Sequence, residues 1–257
     1  MSLTDEAGTV ERLERARGKL VMVEQAGSRA TVTLNDPVSR NTLSQPLTAT
    51  LHRALQQLVD VAELRAIVLT GVEDAFSSGA ERQDAAARWP EEPAKESSRV
   101  VRCELGEIAR LIARSEVPFV AAINGVAAGA ALALALTCDV VTVSHQARLA
   151  PAAGRVGLLS EVGMSWLLVR RLGYHRTFSL FTGGNDLSTA EAFRAGLVDA
   201  VVEHDELAFA TSFWCEIAAL AATRDKTRQL VRSATESSRG RPAVMGEFAT
   251  NVSWHFV

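Results

Sequence analysis

Apolar residues recur along this chain with two periods, one typical of helices and one typical of strands. Helical spacing predicts a helix that begins near Ser44, a favourable N-cap, and a second helix from about Ser98 to Arg114. The positions predicted to face the core of these helices are Leu47, Leu51, Leu55, Leu58, Val101, Leu105, Ile108 and Ile112. Short apolar runs predict strands. They are LVMVEQ (20–25), RATVTLN (29–35), RAIVLTG (65–71), PFVAAI (118–123) and DVVTVS (139–144).

The order of these elements predicts an α/β fold in which strand, loop and helix follow one another around one core. Two loops interrupt the pattern with small residues, GVEDAFSSGA (71–80) and NGVAAGA (124–130). Towards the C-terminus, Ser188 is placed to cap a helix and VDAVV (198–202) predicts a short strand. We therefore expect a core at 20–202 and a helical region, suited to oligomerisation, at 203–257.

Composition and charge exclude several classes of protein. The chain has 257 residues, of which 47% are hydrophobic and 22% are charged. Its net charge is −3 and its basic residues are interleaved with acids, so no nucleic-acid partner is expected. Three widely spaced cysteines and an N-terminus without an apolar run favour a cytoplasmic protein without disulfides or zinc. The uncharged stretch 117–138 is long enough for a membrane span. Its prolines and glycines instead indicate a buried strand, a loop and a buried helix.

Five motifs in a fixed order carry a resemblance to a known family. They are VTLNDPVSRNTLS (32–44), VLTGVEDAFSSGAER (68–82), PFVAAINGVAAGAALALALTCDVV (118–141), RVGLLSEVGMSWLLVRRLG (155–173) and LSTAEAFRAGLVDAVV (187–202). In this the chain resembles the crotonase (enoyl-CoA hydratase/isomerase) superfamily. The resemblance implies a spiral of ββα turns with a C-terminal helical layer, assembled as a homotrimer or hexamer. It also implies an acyl thioester substrate on CoA or on the phosphopantetheine of an acyl carrier protein, with no separate cofactor.

The two loops of small residues suit the chemistry that the resemblance implies. Loss of a proton or a carboxylate next to a thioester carbonyl places negative charge on its oxygen, and two converging backbone N–H groups stabilise that charge. By the family pattern these donors fall on Ala80, after the flexible Gly79, and on Ala130, where a helix opens with unpaired N–H groups. From the residues alone, both loops also fit simple tight turns. An alanine stands at the second donor, where the family usually has a glycine.

The acid–base residues depart further from the family. Hydratases carry one glutamate three residues beyond the second donor and another before the next GL pair, and here these positions are Ala133 and Ala153. Adding water to a double bond needs a positioned acid and base, which alanine cannot supply. Ordinary enoyl-CoA hydratase activity is therefore not expected.

Three ionisable residues are candidates for a different reaction. Glu161 stands where several double-bond isomerases of the superfamily place a carboxylate, although it also fits the first turn of a helix. His255 stands near the C-terminus, as in decarboxylating relatives of polyketide β-branching pathways, although a terminal histidine can equally serve packing. Arg88 is the matching cation for a substrate carboxylate, with Arg82 and Arg155 as weaker candidates, and most arginines are simply solvated.

These residues predict an enzyme of acyl thioester chemistry. The leading interpretation is decarboxylation of a β-branched, glutaconyl-type thioester, in which His255 donates a proton to the dienolate. The alternative is Δ3-Δ2 enoyl-CoA isomerisation by Glu161. A third interpretation is a catalytically silent protein that binds acyl-CoA, because both hydratase glutamates are replaced.

Overall fold

The computed structural model describes residues 19–80, 96–151 and 162–220. Its strands in chain order are β1 (Val21–Ala26), β2 (Arg29–Leu34), β3 (Ala66–Gly71), β4 (Ala75–Ser77), β5 (Phe119–Ile123), β6 (Val126–Ala128), β7 (Val140–Ser144), β8 (Arg148–Ala150) and β9 (Ala200–Val202). Its helices are α1 (Gln45–Val59), α2 (Glu96–Arg114), α3 (Ala130–Thr137), α4 (Met164–Leu172), α5 (Tyr174–Gly183), α6 (Thr189–Arg194) and α7 (Leu207–Leu220).

Six strands form one sheet in the order β1-β2-β3-β5-β7-β9. The hairpin β1–β2 is antiparallel, and every following pair is parallel. Alternate residues face opposite sides of a strand. In β3, Ile67 and Leu69 join the main core, whereas Ala66 and Val68 pack in a second cluster with α7. This two-sided burial explains the continuous apolar runs of the central strands.

Three strands of three residues each form a second, parallel sheet in the order β4-β6-β8. Each follows a long strand within a few residues, so β3–β4, β5–β6 and β7–β8 send one strand to each sheet. The corners are tight, because a β-carbon on Gly71 would overlap the Ala75 carbonyl and one on Gly125 would overlap the Asp74 carbonyl. The ββα turns implied by the resemblance are confirmed.

The helices, the long strands and the short β9 agree with the sequence, and the three strands of the second sheet do not. The predicted core positions of α1 and α2 are buried, and Ser188 forms a capping box with Glu191 at the start of α6. The interpretation of 71–80 and 124–130 purely as loops was wrong, because they contain β4 and β6, and β8 was missed as well. The strands β4, β6 and β8 have three residues each, which is too short to display a period, and the strands that they pair with are distant in sequence.

The uncharged stretch 117–138 holds β5, β6 and α3, in agreement with a buried strand, a connection and a buried helix. Within the described stretches, no helix is long and apolar enough to cross a membrane. Beyond residue 202, α7 packs on the outer face of the six-stranded sheet. The division at 202/203 stays a prediction, and residues 221–257 lie outside the described stretches.

Candidate active site

The first donor loop leaves the end of β4. Ser78 donates its N–H to the Arg40 carbonyl (2.9 Å), and Gly79 donates its own to Ser77 Oγ (3.1 Å). Gly79 has φ +89°, a conformation that favours glycine. The next N–H, that of Ala80, has no acceptor among the described residues. The loop therefore uses its first two N–H groups internally, and the third is left without an acceptor in the described stretches.

The second donor lies at the start of α3. Gly129 turns the chain into the helix with φ +49°, and its N–H is bonded to the Ala150 carbonyl (2.9 Å). The first described intrahelical bond runs from Ala133 N–H to the Gly129 carbonyl (3.1 Å), so the Ala130 N–H has no acceptor in the described stretches. Unpaired N–H groups and the helix dipole both favour an anion at this end.

The two loops lie side by side because β4 and β6 are neighbouring parallel strands. The carboxyl ends of parallel strands meet at the same edge of a sheet. A β-carbon added to Gly79 would lie 2.7 Å from the carbonyl oxygen of Ala128, two residues before Ala130. The structure thus brings the Ala80 and Ala130 loops to one edge of the short sheet.

The third strand of the short sheet, β8, ends beside the second loop. The chain that follows, residues 152–161, lies outside the described stretches, and so do Ala153, Arg155 and Glu161. The candidates Arg82, Arg88 and His255 lie outside them too. Their predicted roles therefore stay predictions.

Ala133 lies one turn into α3, where hydratases carry a glutamate. It is fully buried, and the whole run from Ala130 to Leu136 is buried with it. The side chain at this position is a methyl group in the main core. This position of α3 consequently offers no group that can transfer a proton.

A polar network anchors the first loop to the segment that precedes α1. Ser78 Oγ lies 2.7 Å from Thr42 Oγ1 and 3.2 Å from the Ser39 carbonyl, and Leu43 donates its N–H to the Gly79 carbonyl (2.8 Å). Sequence reasoning missed these anchors, as well as the buried Asn41 and Asn124 described below. The signal in the sequence that could have indicated these residues is their position next to apolar runs.

A cation stabilises the opposite end of α3. Arg171 donates to the Leu136 carbonyl (3.0 Å) in the last turn of the helix and to the Leu197 carbonyl (3.4 Å). Desolvation lowers the pKa of Arg171, and the nearby Asp199 carboxylate offsets only part of this shift. Arg171 as a whole is exposed, whereas its guanidinium contacts two backbone carbonyls. A positive charge here complements the helix dipole.

No cluster of three or more His, Cys, Asp or Glu side chains suited to a metal ion occurs in residues 19–80, 96–151 and 162–220. The ionisable pairs of this part lie on the surface or between helices. Arg40 and Asp74 form an exposed ion pair (2.7 Å), and His52 contacts Glu104 (2.7 Å) between α1 and α2.

Comparison with known proteins identifies the family of this chain. The family model described as enoyl-CoA hydratase/isomerase matches residues 24–246. A probable enoyl-CoA hydratase of Mycobacterium tuberculosis is 34% identical over 75% of this chain and 69% of its own length. The 1,2-epoxyphenylacetyl-CoA isomerase of Escherichia coli is 33% identical over 69% of this chain and 68% of its own.

Solved structures agree. A probable enoyl-CoA hydratase/isomerase from Mycobacterium abscessus superposes with a TM-score of 0.76 at 28% identity, covering 86% of this chain and 84% of its own. A monofunctional enoyl CoA isomerase from M. smegmatis superposes with a TM-score of 0.71 at 28% identity, covering 86% of this chain and 95% of its own. The chain therefore belongs to the enoyl-CoA hydratase/isomerase family, the crotonase superfamily that its motifs resemble.

Proposed function

We propose that the protein is an enzyme that holds the carbonyl oxygen of an acyl thioester between the N–H groups of Ala80 and Ala130. One observation carries the proposal. Both N–H groups lack an acceptor in the described stretches, and neighbouring strands deliver them to the same edge of the short sheet. Family membership supports CoA as the carrier, and an acyl carrier protein is the alternative carrier.

The two donors stabilise an enolate. When a proton leaves C2, or when a carboxylate leaves C4 of a conjugated glutaconyl chain, the electron pair moves onto the carbonyl oxygen. Each aimed N–H lowers the barrier by roughly 3 kcal/mol in comparable sites. The dipole of α3 adds to the second donor.

Hydration is not the proposed reaction, because Ala133 is a buried methyl group where a hydratase needs a carboxylate. General acids and bases contribute roughly 100- to 10,000-fold each. Crotonyl-CoA should therefore be hydrated orders of magnitude more slowly than by an active hydratase, which the loss of enoyl absorbance measures. Robust hydration would show that another residue supplies the acid and base.

The first specific candidate is double-bond isomerisation with Glu161. Its carboxylate takes a proton from C2 of a 3-enoyl thioester, the dienolate forms under the two donors, and the same proton returns to C4. The monofunctional enoyl CoA isomerase of M. smegmatis among the solved structures favours this candidate. A single carboxylate suffices, in keeping with the alanine at position 133.

The second candidate is decarboxylation of a glutaconyl-type thioester. Arg88 binds the distal carboxylate, the C–C bond to it breaks, CO₂ leaves, and the electron pair forms the dienolate. His255 then donates a proton, a role that suits histidine near neutrality because an imidazolium in water has a pKa of about 6.5. The observation in favour is again Ala133, since this first step needs no base.

One assay separates the candidates. A 3-enoyl thioester and a 3-methylglutaconyl thioester are offered separately, on CoA and on carrier protein, to wild type, Glu161→Gln and His255→Ala. Isomerisation predicts that Glu161→Gln loses roughly 100-fold or more in turnover and that His255→Ala is mild. Decarboxylation predicts the reverse, with CO₂ release as the readout. Binding without turnover of any of these would instead identify a silent acyl-thioester-binding protein.

The assembly implied by the resemblance, a homotrimer or hexamer, also stays a prediction. Light scattering of the full chain measures it directly. A monomer at micromolar concentration would contradict it.

A further inference from the structure

Two corners of the chain meet where the short strands begin. The β3–β4 corner (71–75) contacts the β5–β6 corner (123–126), and Val126 donates its N–H to the Asp74 carbonyl (3.3 Å). Glu73 in the first corner has φ +56°, which is unfavourable for a residue with a side chain. The surrounding structure must hold such a conformation in place.

Asn124 joins these two corners. It is 9% exposed, and its Oδ1 accepts from Gly71 N–H (3.3 Å). Its Nδ2 donates to the carbonyls of Glu73 (2.7 Å) and Ala75 (3.3 Å). One amide on the corner before β6 thus satisfies three backbone groups of the corner before β4.

Asn41, in the segment before α1, also bonds β4. It is fully buried with φ +56°, and its Oδ1 accepts from Asp36 N–H (2.8 Å). Its Nδ2 donates to the carbonyls of Ala75 (2.8 Å) and Phe76 (3.3 Å). The Ala75 carbonyl therefore accepts from both asparagines.

The pairing of β4 with β6 needs this support. Ala75 pairs with Val126 and Ser77 with Ala127, so the register shifts between them. A ladder this short and irregular contains few backbone hydrogen bonds to define the register. The donor loops follow immediately, at Gly79–Ala80 and at Gly129–Ala130.

We infer that Asn124 and Asn41 are positioning residues whose side-chain amides set the separation of the two N–H donors. The inference rests on the proposed function, because it concerns the same two donors. Neither side chain contacts the thioester in this scheme. Both act through β4 and the start of β6.

The test measures the donors directly, without turnover. Crotonyl-CoA labelled with ¹³C at the thioester carbonyl is bound to the full chain, and its C=O stretch is recorded by infrared difference spectroscopy. Hydrogen bonds from two aligned N–H groups lower this frequency. The variants are Asn124→Ala and Asn41→Gly, the second of which keeps the left-handed backbone favourable.

A matched control removes a buried polar group elsewhere. Thr142 is fully buried beneath α7, where its Oγ1 contacts Thr211 Oγ1 (2.9 Å) and the Ala121 carbonyl (3.1 Å). Thr142→Val should lower the melting temperature and leave the carbonyl shift unchanged. Asn124→Ala and Asn41→Gly should lose most of the shift at saturating ligand.

The outcomes are distinguishable. A wild-type shift that survives in both asparagine variants, with only the stability loss of Thr142→Val, would overturn the positioning role and leave the two donors intact. No shift in wild type would remove the proposed function and this inference together. If Asn124→Ala is insoluble, Asn124→Ser and Asn41→Gly decide the question by the same criterion.

Discussion

The two donor loops lie side by side but are held in different ways. The Ala80 loop is irregular backbone after a three-residue strand. It is anchored by the Ser78 hydroxyl, which bonds Thr42 Oγ1 and the Ser39 carbonyl, and Gly79 lies close to the Ala128 carbonyl. Ala130 opens a regular helix that is buried from Ala130 to Leu136, and the first bond of this helix, from Ala133 N–H to the Gly129 carbonyl, is made by the backbone itself. A donor at a helix N-terminus needs little from particular side chains, whereas a donor on an irregular loop depends on each of its anchors.

The sharpest test of this difference is Gly79→Ala. The new β-carbon would lie 2.7 Å from the Ala128 carbonyl at a φ of +89°, so the loop must move and take the Ala80 N–H with it. Misplacement by about 1 Å costs roughly 100-fold in comparable sites, and we expect turnover of the thioester that the assay identifies to fall by about that factor.

Gly27→Ala is the matched control for that change. Gly27 also has a positive φ (+59°), but open space surrounds it in the β1–β2 turn. This variant should lose only about 1 kcal/mol of stability and keep its activity. Equal activity losses in the two variants would contradict a specific role for the Gly79 contact.

A smaller effect is expected from the side-chain anchor. Ser78→Ala removes the hydroxyl that bonds Thr42 and the Ser39 carbonyl, while the backbone bonds of the loop remain. We expect roughly tenfold lower turnover and about 1 kcal/mol lower stability, measured by steady-state kinetics and denaturant unfolding. Thr177→Val deletes a buried hydroxyl on α5 (Oγ1 to the Gly173 carbonyl, 2.9 Å) and should match the stability loss alone.

The smallest effect on activity is expected at the far end of α3. Arg171→Met leaves the Leu136 carbonyl without its guanidinium donor and should cost about 1–3 kcal/mol of stability. The N-terminus of α3 is held by the packed helix, so turnover should change less than about threefold. A large loss of activity here would show that the second donor depends on its supports as strongly as the first.

The sequence predicted two donor loops and missed what holds these loops in place. Small residues at 78–80 and 129–131, together with the resemblance, pointed to Ala80 and Ala130, and the structure places both at one edge of the short sheet. It did not reveal that Ser78 and Gly79 use their own N–H groups internally. Which N–H groups of a loop are already bonded depends on which backbone groups meet in space.

The hydrophobic pattern by itself determined the long elements of this protein. Runs such as 66–71 and 119–123 are buried on both faces, and the leucines of α1 share one side, so local period alone identifies them. Only the tertiary structure decided the short sheet and the contacts of Asn41 and Asn124 with the Ala75 carbonyl. The strands of the short sheet carry no period, and a hydrogen bond between residues 49 positions apart in sequence leaves no local signal.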